Sequence, residues 1–243
     1  PGNIYQLQEF PSLGNPLVTG AMDASYEDFK FVAQVADGNV VVFVSADSPY
    51  QTFDDLLAAF KKDVSSVRIA VDGSLEAYNS FMWHRILNET MDEPVHFSKI
   101  NYLPTDGHSE SITAVIGGHA DVMLANVGNA IDYYNNGEAR VLAVASEDKL
   151  EAFPDAPSLT ELGYEGLVLT KPRIWFMGGE VPDEIVNYWE EKLMEMRETD
   201  VWQEYLKADY LSDVVRNSEE VTEFLRDQQD KYQSFMKEVE ESR

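Results

Sequence analysis

The chain has 243 residues, with 44 Asp plus Glu against 18 Lys plus Arg, giving a formal charge of −26 at pH 7. Its 44% hydrophobic content is that of a packed globular protein and too high for a disordered acidic segment. The charge leaves no basic surface for nucleic-acid phosphates or anionic lipid. The absence of cysteine excludes disulfides, thiolate-held zinc and thiol catalysis.

Acidic residues outnumber basic ones both before and after Pro182, so the charge is a property of the whole surface and not of one tail. This spread fits a protein adapted to high salt, where self-repulsion is screened; the competing reading is an ordinary acidic mesophile. The longest apolar run, Val40–Val44, is far too short to span a bilayer. The opening Pro1-Gly2-Asn3 carries no signal-peptide pattern, and the expectation is a processed or truncated product.

In chain order, Ile4–Gln8 alternates as a short strand, and Val40–Val44 reads as a strand buried on both faces. Thr52 and Asp55 form a capping box for a helix whose stripe is Phe53, Leu56, Leu57 and Phe60. A strand over Val67–Val71 ends at Asp72-Gly73-Ser74, and a helix is predicted from about Leu75, with Tyr78, Met82 and Ile86 on one face. The loop Pro104–His108 feeds a helix stopped by Gly117-Gly118. Ala120–Leu124 is a strand, Asn126 caps a helix running to Asn136-Gly137, and Arg140–Ala145 is another buried strand. This alternation predicts βαβ units and a mostly parallel sheet. From Pro182 onward only helices are expected. The first buries Ile185, Tyr188, Trp189, Leu193 and Met196, and the last opens on an Asn217/Glu220 capping box.

No nucleophile elbow, P-loop, dinucleotide fingerprint or zincin motif occurs. His84, His96, His108 and His119 lack metal-ligand spacing and read as surface or packing residues. Three features could bind a ligand. In the first, the Gly73-Ser74 turn between a strand and a helix offers backbone N–H groups to an anion, or Ser74 is simply an N-cap. Asp72 and Glu76 beside it would oppose an anion. The second is Thr105-Asp106-Gly107-His108-Ser109, a polar loop at a strand end, where open α/β sheets hold ligands. The third is Arg173, next to Trp175, able either to grip a carboxylate bidentately or to form a structural salt bridge.

The order of several blocks resembles the extracytoplasmic solute receptors of tripartite tricarboxylate transporters, the TctC or Bug family. Ser48-Pro49-Tyr50-Gln51-Thr52-Phe53-Asp54-Asp55-Leu56 is similar to that family's entry to the second lobe. Ile100–Gly107 resembles its I-N-Y-V-P-x-x-G loop, and Ile116–Val122 its L-G-G-x-V-D-V turn. Arg140–Ala145, Phe153–Leu159 and Glu161-Leu162-Gly163-Tyr164 resemble its R-x-L-A-V and P-D-V-P-T-x-x-E-x-G-Y blocks. Together these cover nearly the whole chain.

The resemblance implies an α/β, two-lobed, periplasmic-binding-protein-like fold of type II. Each lobe would be a sheet flanked by helices, with the ligand cleft between lobes. Lobe I would comprise 1–44 and 171–243, and lobe II 45–170, with crossovers near Val40–Val44 and Ile174–Met177. The implied ligand is a small di- or tricarboxylate or related organic acid. Its binding residues would be Gly73, Ser74, Leu75, Glu76, Ala77, Asp106, Gly107, Asn126 and Arg173, with Phe10 and Ser12 lining the site. The family's first strand, Gly-rich anion loop and helix are expected upstream of Pro1. Asp72–Ala77 departs from the family's small-residue loop, and Glu76 would suit a ligand carrying an amino group or a chelated metal. No catalytic residue, cofactor or resident metal is expected.

The implied partners are the membrane subunits of the transporter. The protein is expected to be a monomer, periplasmic or at the cell surface, with a lipid anchor conceivable in a longer form. Two other functions compete: presentation of the ligand to a membrane sensor kinase, and an enzyme on the same fold with Asp106 and Glu76 as its acids.

Overall fold

A computed structural model describes residues 5–9, 13, 14, 16, 17 and 21–242. The chain folds into two compact units, 1–38 with 171–236, and 39–170 with 237–243.

The second unit is built on a five-stranded sheet. Its strands are β3 (Val40–Ser45), β4 (Arg68–Asp72), β5 (Asn101–Thr105), β6 (Val122–Asn126) and β7 (Ala139–Val144), in the spatial order β5-β4-β6-β3-β7. β4 pairs in parallel with β5 and β6, whereas β3 runs antiparallel to both β6 and β7. The sheet is mostly parallel, as expected, with one reversed strand, β3, which follows β2 directly and not through a βαβ crossover. Val40 to Val44 are all fully buried. Val41 and Phe43 pack with Ile112, Val115, Ala130 and Phe153 on one face, so the alternate Val40, Val42 and Val44 fill the other. Each such side chain contributes about 1.5–3 kcal/mol on burial. The sequence reading places this strand in lobe I. It belongs instead to the second unit, because both of its edges are hydrogen-bonded there.

Helices α1 (Phe53–Lys62), α2 (Tyr78–Thr90), α3 (His108–Ile116) and α4 (Val127–Asn135) connect these strands. α1 starts at the Thr52/Asp55 capping box and buries Phe53, Leu56, Leu57 and Phe60, as its periodicity predicts. α3 stops at Gly117, and Gly118 takes the left-handed φ of +71° that the chain needs to turn into β6. Asp121, just before β6, accepts hydrogen bonds from the backbone N–H, Nε and Nη2 of Arg68 at 2.7, 3.0 and 2.6 Å, clamping the starts of β4 and β6 together.

The first unit holds an antiparallel sheet of β1 (Tyr5–Glu9), β8 (Lys171–Gly178), β2 (Phe29–Gly38) and the two-residue β9 (Leu211–Ser212), in that order. α5 (Asp183–Arg197), α6 (Asp200–Ala208) and α7 (Ser218–Glu241) complete the chain. Val32, Ala33, Val35 and Ala36 of β2 pack with Met177, Val186, Leu193, Trp202 and Leu206. Irregular register at Phe31/Ala33 and Gln34/Ala36 lets non-alternating residues of β2 be buried together. Two expectations change here. β9 interrupts the all-helical tail, and Tyr188, assigned to the buried stripe of α5, is 52% exposed while Val186 is buried instead. The Asn217/Glu220 capping box is present, with reciprocal bonds of 2.9 Å.

Candidate ligand-binding site at the carboxyl ends of the parallel strands

Because β5, β4 and β6 are adjacent and parallel, their last residues, Thr105, Asp72 and Asn126, open on the same edge of the sheet. The loops that follow are tied to one another. The Gly73 N–H donates to the Thr105 carbonyl at 3.0 Å. Gly73 has φ +89°, a conformation that strains any residue with a side chain.

The chain does not enter α2 at once. Ala77 N–H donates to the Ser74 carbonyl at 2.9 Å, closing a turn, and the helix begins at Tyr78 with Ala77 as its N-cap. The expected start near Leu75 is thus three residues early, and Ser74 is not a capping residue. Gly73 and Ser74 are exposed, while Leu75, Glu76 and Ala77 are half-buried. Asp72 is oriented by Asn79, whose Nδ2 donates to Oδ1.

In the second loop, the Thr105 hydroxyl lies 2.7 Å from Ser111 Oγ, 3.1 Å from the Gly107 carbonyl and 3.3 Å from the Val71 carbonyl. Asp106 is exposed, and its N–H donates to Glu110 Oε2 at 2.7 Å. Gly107 is the N-cap of α3, and a Cβ there would meet nothing within 4 Å. Behind this loop, Tyr102 on β5 donates its hydroxyl to the Ser80 carbonyl at 2.9 Å, joining β5 to α2. Burial, with the Glu238 carboxylate adding to it, pushes the Tyr102 phenol well above its ordinary range, so it stays a donor.

Asn126 occupies the N-cap position of α4, as predicted, but its side chain makes no capping bond. Its own N–H donates to Nε2 of His108 at 3.3 Å, and Nδ1 of the same ring is 3.7 Å from Asp72 Oδ2. His108 therefore spans the ends of β4 and β6. The sequence reading assigns it to surface or packing. Asp72 and His108 fall within the loops it singles out but are given no bridging role, and Asn79 is the residue it misses at this edge; His108 directly follows the Gly107 that ends the I-N-Y-x-P-x-x-G-like block.

Of the predicted ligand residues, the second unit gathers Gly73 to Ala77, Asp106, Gly107 and Asn126 around one sheet edge. Arg173 lies in the first unit's sheet, half-buried on β8 opposite Glu9 of β1 and Ala36 of β2. Phe10 and Ser12 fall outside the described residues. Chemically, the edge combines exposed loop backbone with the positive end of the α4 dipole, which suits an anion. Asp72 and Glu76 place negative charge close by. Among the described residues, no group of three or more His, Asp or Glu is arranged to hold a metal ion.

Loops that converge at the carboxyl ends of adjacent parallel strands are where open α/β sheets hold ligands. The chain belongs to the tripartite tricarboxylate transporter family receptor family, TctC, whose model matches residues 15–240. Members of that family are solute-binding receptors and not enzymes. A TctC solute-binding protein from Polaromonas has the same fold, with a TM-score of 0.76 and 20% identity, covering 96% of this chain and 77% of that one. MatC from Rhodopseudomonas palustris, solved with bound malate, gives a TM-score of 0.70 at 13% identity, covering 95% of this chain and 78% of its own. In sequence, the chain is 30% identical over 147 residues to a UPF0065 protein of Cupriavidus necator, covering 60% of this chain and 42% of that protein. It is 27% identical over 150 residues to BugT of Bordetella pertussis, covering 62% and 43%. These matches span less than half the length of the curated relatives.

Proposed function

We propose that the chain is an extracytoplasmic receptor that captures a small organic di- or tricarboxylate and delivers it to the membrane subunits of a tripartite tricarboxylate transporter, acting as a monomer. The observation that carries this reading is the convergence of Gly73–Ala77, Asp106–Gly107 and the head of α4 at the carboxyl ends of three adjacent parallel strands. Backbone N–H groups there would take one carboxylate end. Malate bound to MatC and adipate bound to another Rhodopseudomonas palustris protein of TM-score 0.65 support the ligand class. Arg173 is retained on its chemistry alone as a bidentate carboxylate ligand, and Phe10 and Ser12 are retained as lining residues. The two compact units would serve as the receptor's two lobes.

Isothermal titration of the protein in molar salt against a panel of di- and tricarboxylates tests the reading. Binding with a Kd in the micromolar range by at least one member is expected, a free energy of about −8 kcal/mol. Neither heat nor thermal stabilisation with any of them would remove the carboxylate claim.

A further inference from the structure

The carboxylate reading leaves one residue of the site without a task, and the role inferred for that residue rests on the same reading. His108 is half-buried, with Nε2 placed to accept the Asn126 N–H at 3.3 Å. An accepting Nε2 has no proton, so the neutral ring carries its proton on Nδ1. Nδ1 is buried and finds no hydrogen-bond acceptor. The nearest carboxylate oxygen, Asp72 Oδ2, is at 3.7 Å, beyond hydrogen-bond reach but within ion-pair range. Asp72 cannot swing freely to close that gap, because Asn79 holds its other oxygen.

Protonation changes both ends of this bridge. Nε2 then carries a proton and can no longer accept the Asn126 N–H, so two donors face each other and that contact is lost. Nδ1 becomes one side of an ion pair with Asp72 and offsets the negative charge that opposes an anion there. The other ionisable residues of the two loops that carry this bridge are also acidic. Glu76 lies in the loop after β4, Asp106 precedes His108 in its own loop, and Glu110 follows it on α3, occupied with the Asp106 N–H. Neither stretch, 72–77 or 105–110, contains a Lys or Arg.

We propose that His108 is a proton-operated affinity residue: neutral, it accepts the Asn126 N–H; protonated, it gives up that contact and supplies a cation beside Asp72 that offsets the negative charge at this edge, so that carboxylate binding strengthens as pH falls. By linkage, ligand binding then draws a proton onto the protein.

The test is isothermal titration with malate and with adipate between about pH 6 and about pH 8, at fixed molar salt. For the unaltered protein, affinity is expected to fall as pH rises, by at most about tenfold per pH unit. Binding should also be accompanied by proton uptake, read from heats in buffers of different ionisation enthalpy. His108→Gln keeps an acceptor for the Asn126 N–H and cannot be protonated, so its affinity should be flat and close to the high-pH value. In the ligand-free, unaltered protein, the Asn126 amide resonance should shift with pH in step with the His108 ring. That readout needs no folded variant. A pH-independent affinity, a His108→Gln variant with the original slope, or an Asn126 amide that ignores the ring each overturns the inference and leaves the carboxylate reading intact. No binding of any carboxylate at any pH overturns the carboxylate reading itself.

Discussion

His84, on α2, sits with Nε2 3.3 Å from the Glu238 carboxylate at the end of α7 and 3.1 Å from Asn88 Nδ2. Asn88 is itself oriented by the Val95 N–H donating to its Oδ1 at 2.9 Å, so its amide donor faces the ring. Burial pushes the His84 imidazole below its ordinary value, and the Glu238 carboxylate pulls the other way without cancelling the effect. The unfolded chain takes up this proton near pH 6.5 whereas the folded chain resists it. Folding stability is therefore intact above that pH and falls as pH drops below it, at no more than about 1.4 kcal/mol per pH unit, until the folded form is protonated too. Denaturant melts from about pH 7.5 to about pH 5.5 should show this loss, and His84→Gln should lose less over the same range. Equal losses in both proteins would disprove the assignment. Side chains such as His84 and His108 are invisible in the sequence for one reason. Their partners, Glu238 for one and Asp72 and Asn126 for the other, are brought close only by the tertiary fold. The capping pairs Thr52/Asp55 and Asn217/Glu220 are legible because both members sit within a single helical turn.

β2 shows the same contrast for a whole element. The sequence reading assigns nothing to Phe29–Gly38, although it is the longest strand and central to its sheet. Lys30, Gln34 and Asp37 break its apolar pattern, and each is answered by a group far along the chain or folded back from it. Lys30 Nζ donates to the Val181 carbonyl at 2.8 Å and to Asp183 at 2.6 Å. Gln34 receives Arg216 Nη1 at 2.5 Å and donates through Nε2 to Asp37 at 2.9 Å, while the backbones of Gln34 and Arg216 exchange bonds of 3.0 and 3.2 Å. Gln34 and Asp37 are buried, and buried polar residues are stable only when so satisfied. α1, β3 and the end of α3 are legible because periodicity and a glycine stop act locally. The start of α2 is misplaced because the turn at Ser74–Ala77 has no marker in its residue types. Arg216 also stacks over Phe224, 4.2 Å from its centroid, so it secures the segment before α7 to β2 by three kinds of contact. Arg216→Ala strips the guanidinium from the buried Gln34 Oε1 and should cost about 2–3 kcal/mol, measured by urea unfolding with an unchanged m-value. A loss below about 0.5 kcal/mol, the scatter of ordinary surface changes, would show that the network is incidental.

For the molecule as a whole, the charge of −26 sets a condition on every binding and stability measurement. With 44 carboxylates and 18 basic side chains, most acids cannot be paired. The ion pairs that exist are largely solvent-exposed, as with Lys30–Asp183 and Lys231–Asp227, and such pairs contribute little singly. In the first unit, a cleft of about 730 Å³ brings Glu190, Glu219 and Glu223 together with Arg226 as the one basic lining residue, concentrating like charge. At 0.1 M salt the screening length is about 10 Å, long enough for neighbouring carboxylates to repel. At 1 M it is about 3 Å, and only direct contacts survive. Repulsion of this kind destabilises the compact state and also opposes an approaching carboxylate ligand. Raising salt from about 0.1 M to about 2 M should therefore raise the melting temperature by more than about 5 °C, the equivalent of a few kcal/mol for a chain of this size. It should also tighten carboxylate binding while the protein stays folded, and NaCl and KCl should act alike because screening depends on ionic strength. A carboxylate bound through backbone N–H groups is protected from this screening once seated, so salt should act mainly on the association rate. A flat melting temperature across that range, or tight binding by a folded protein in dilute buffer, would mean that the acidic surface is not an adaptation to salt.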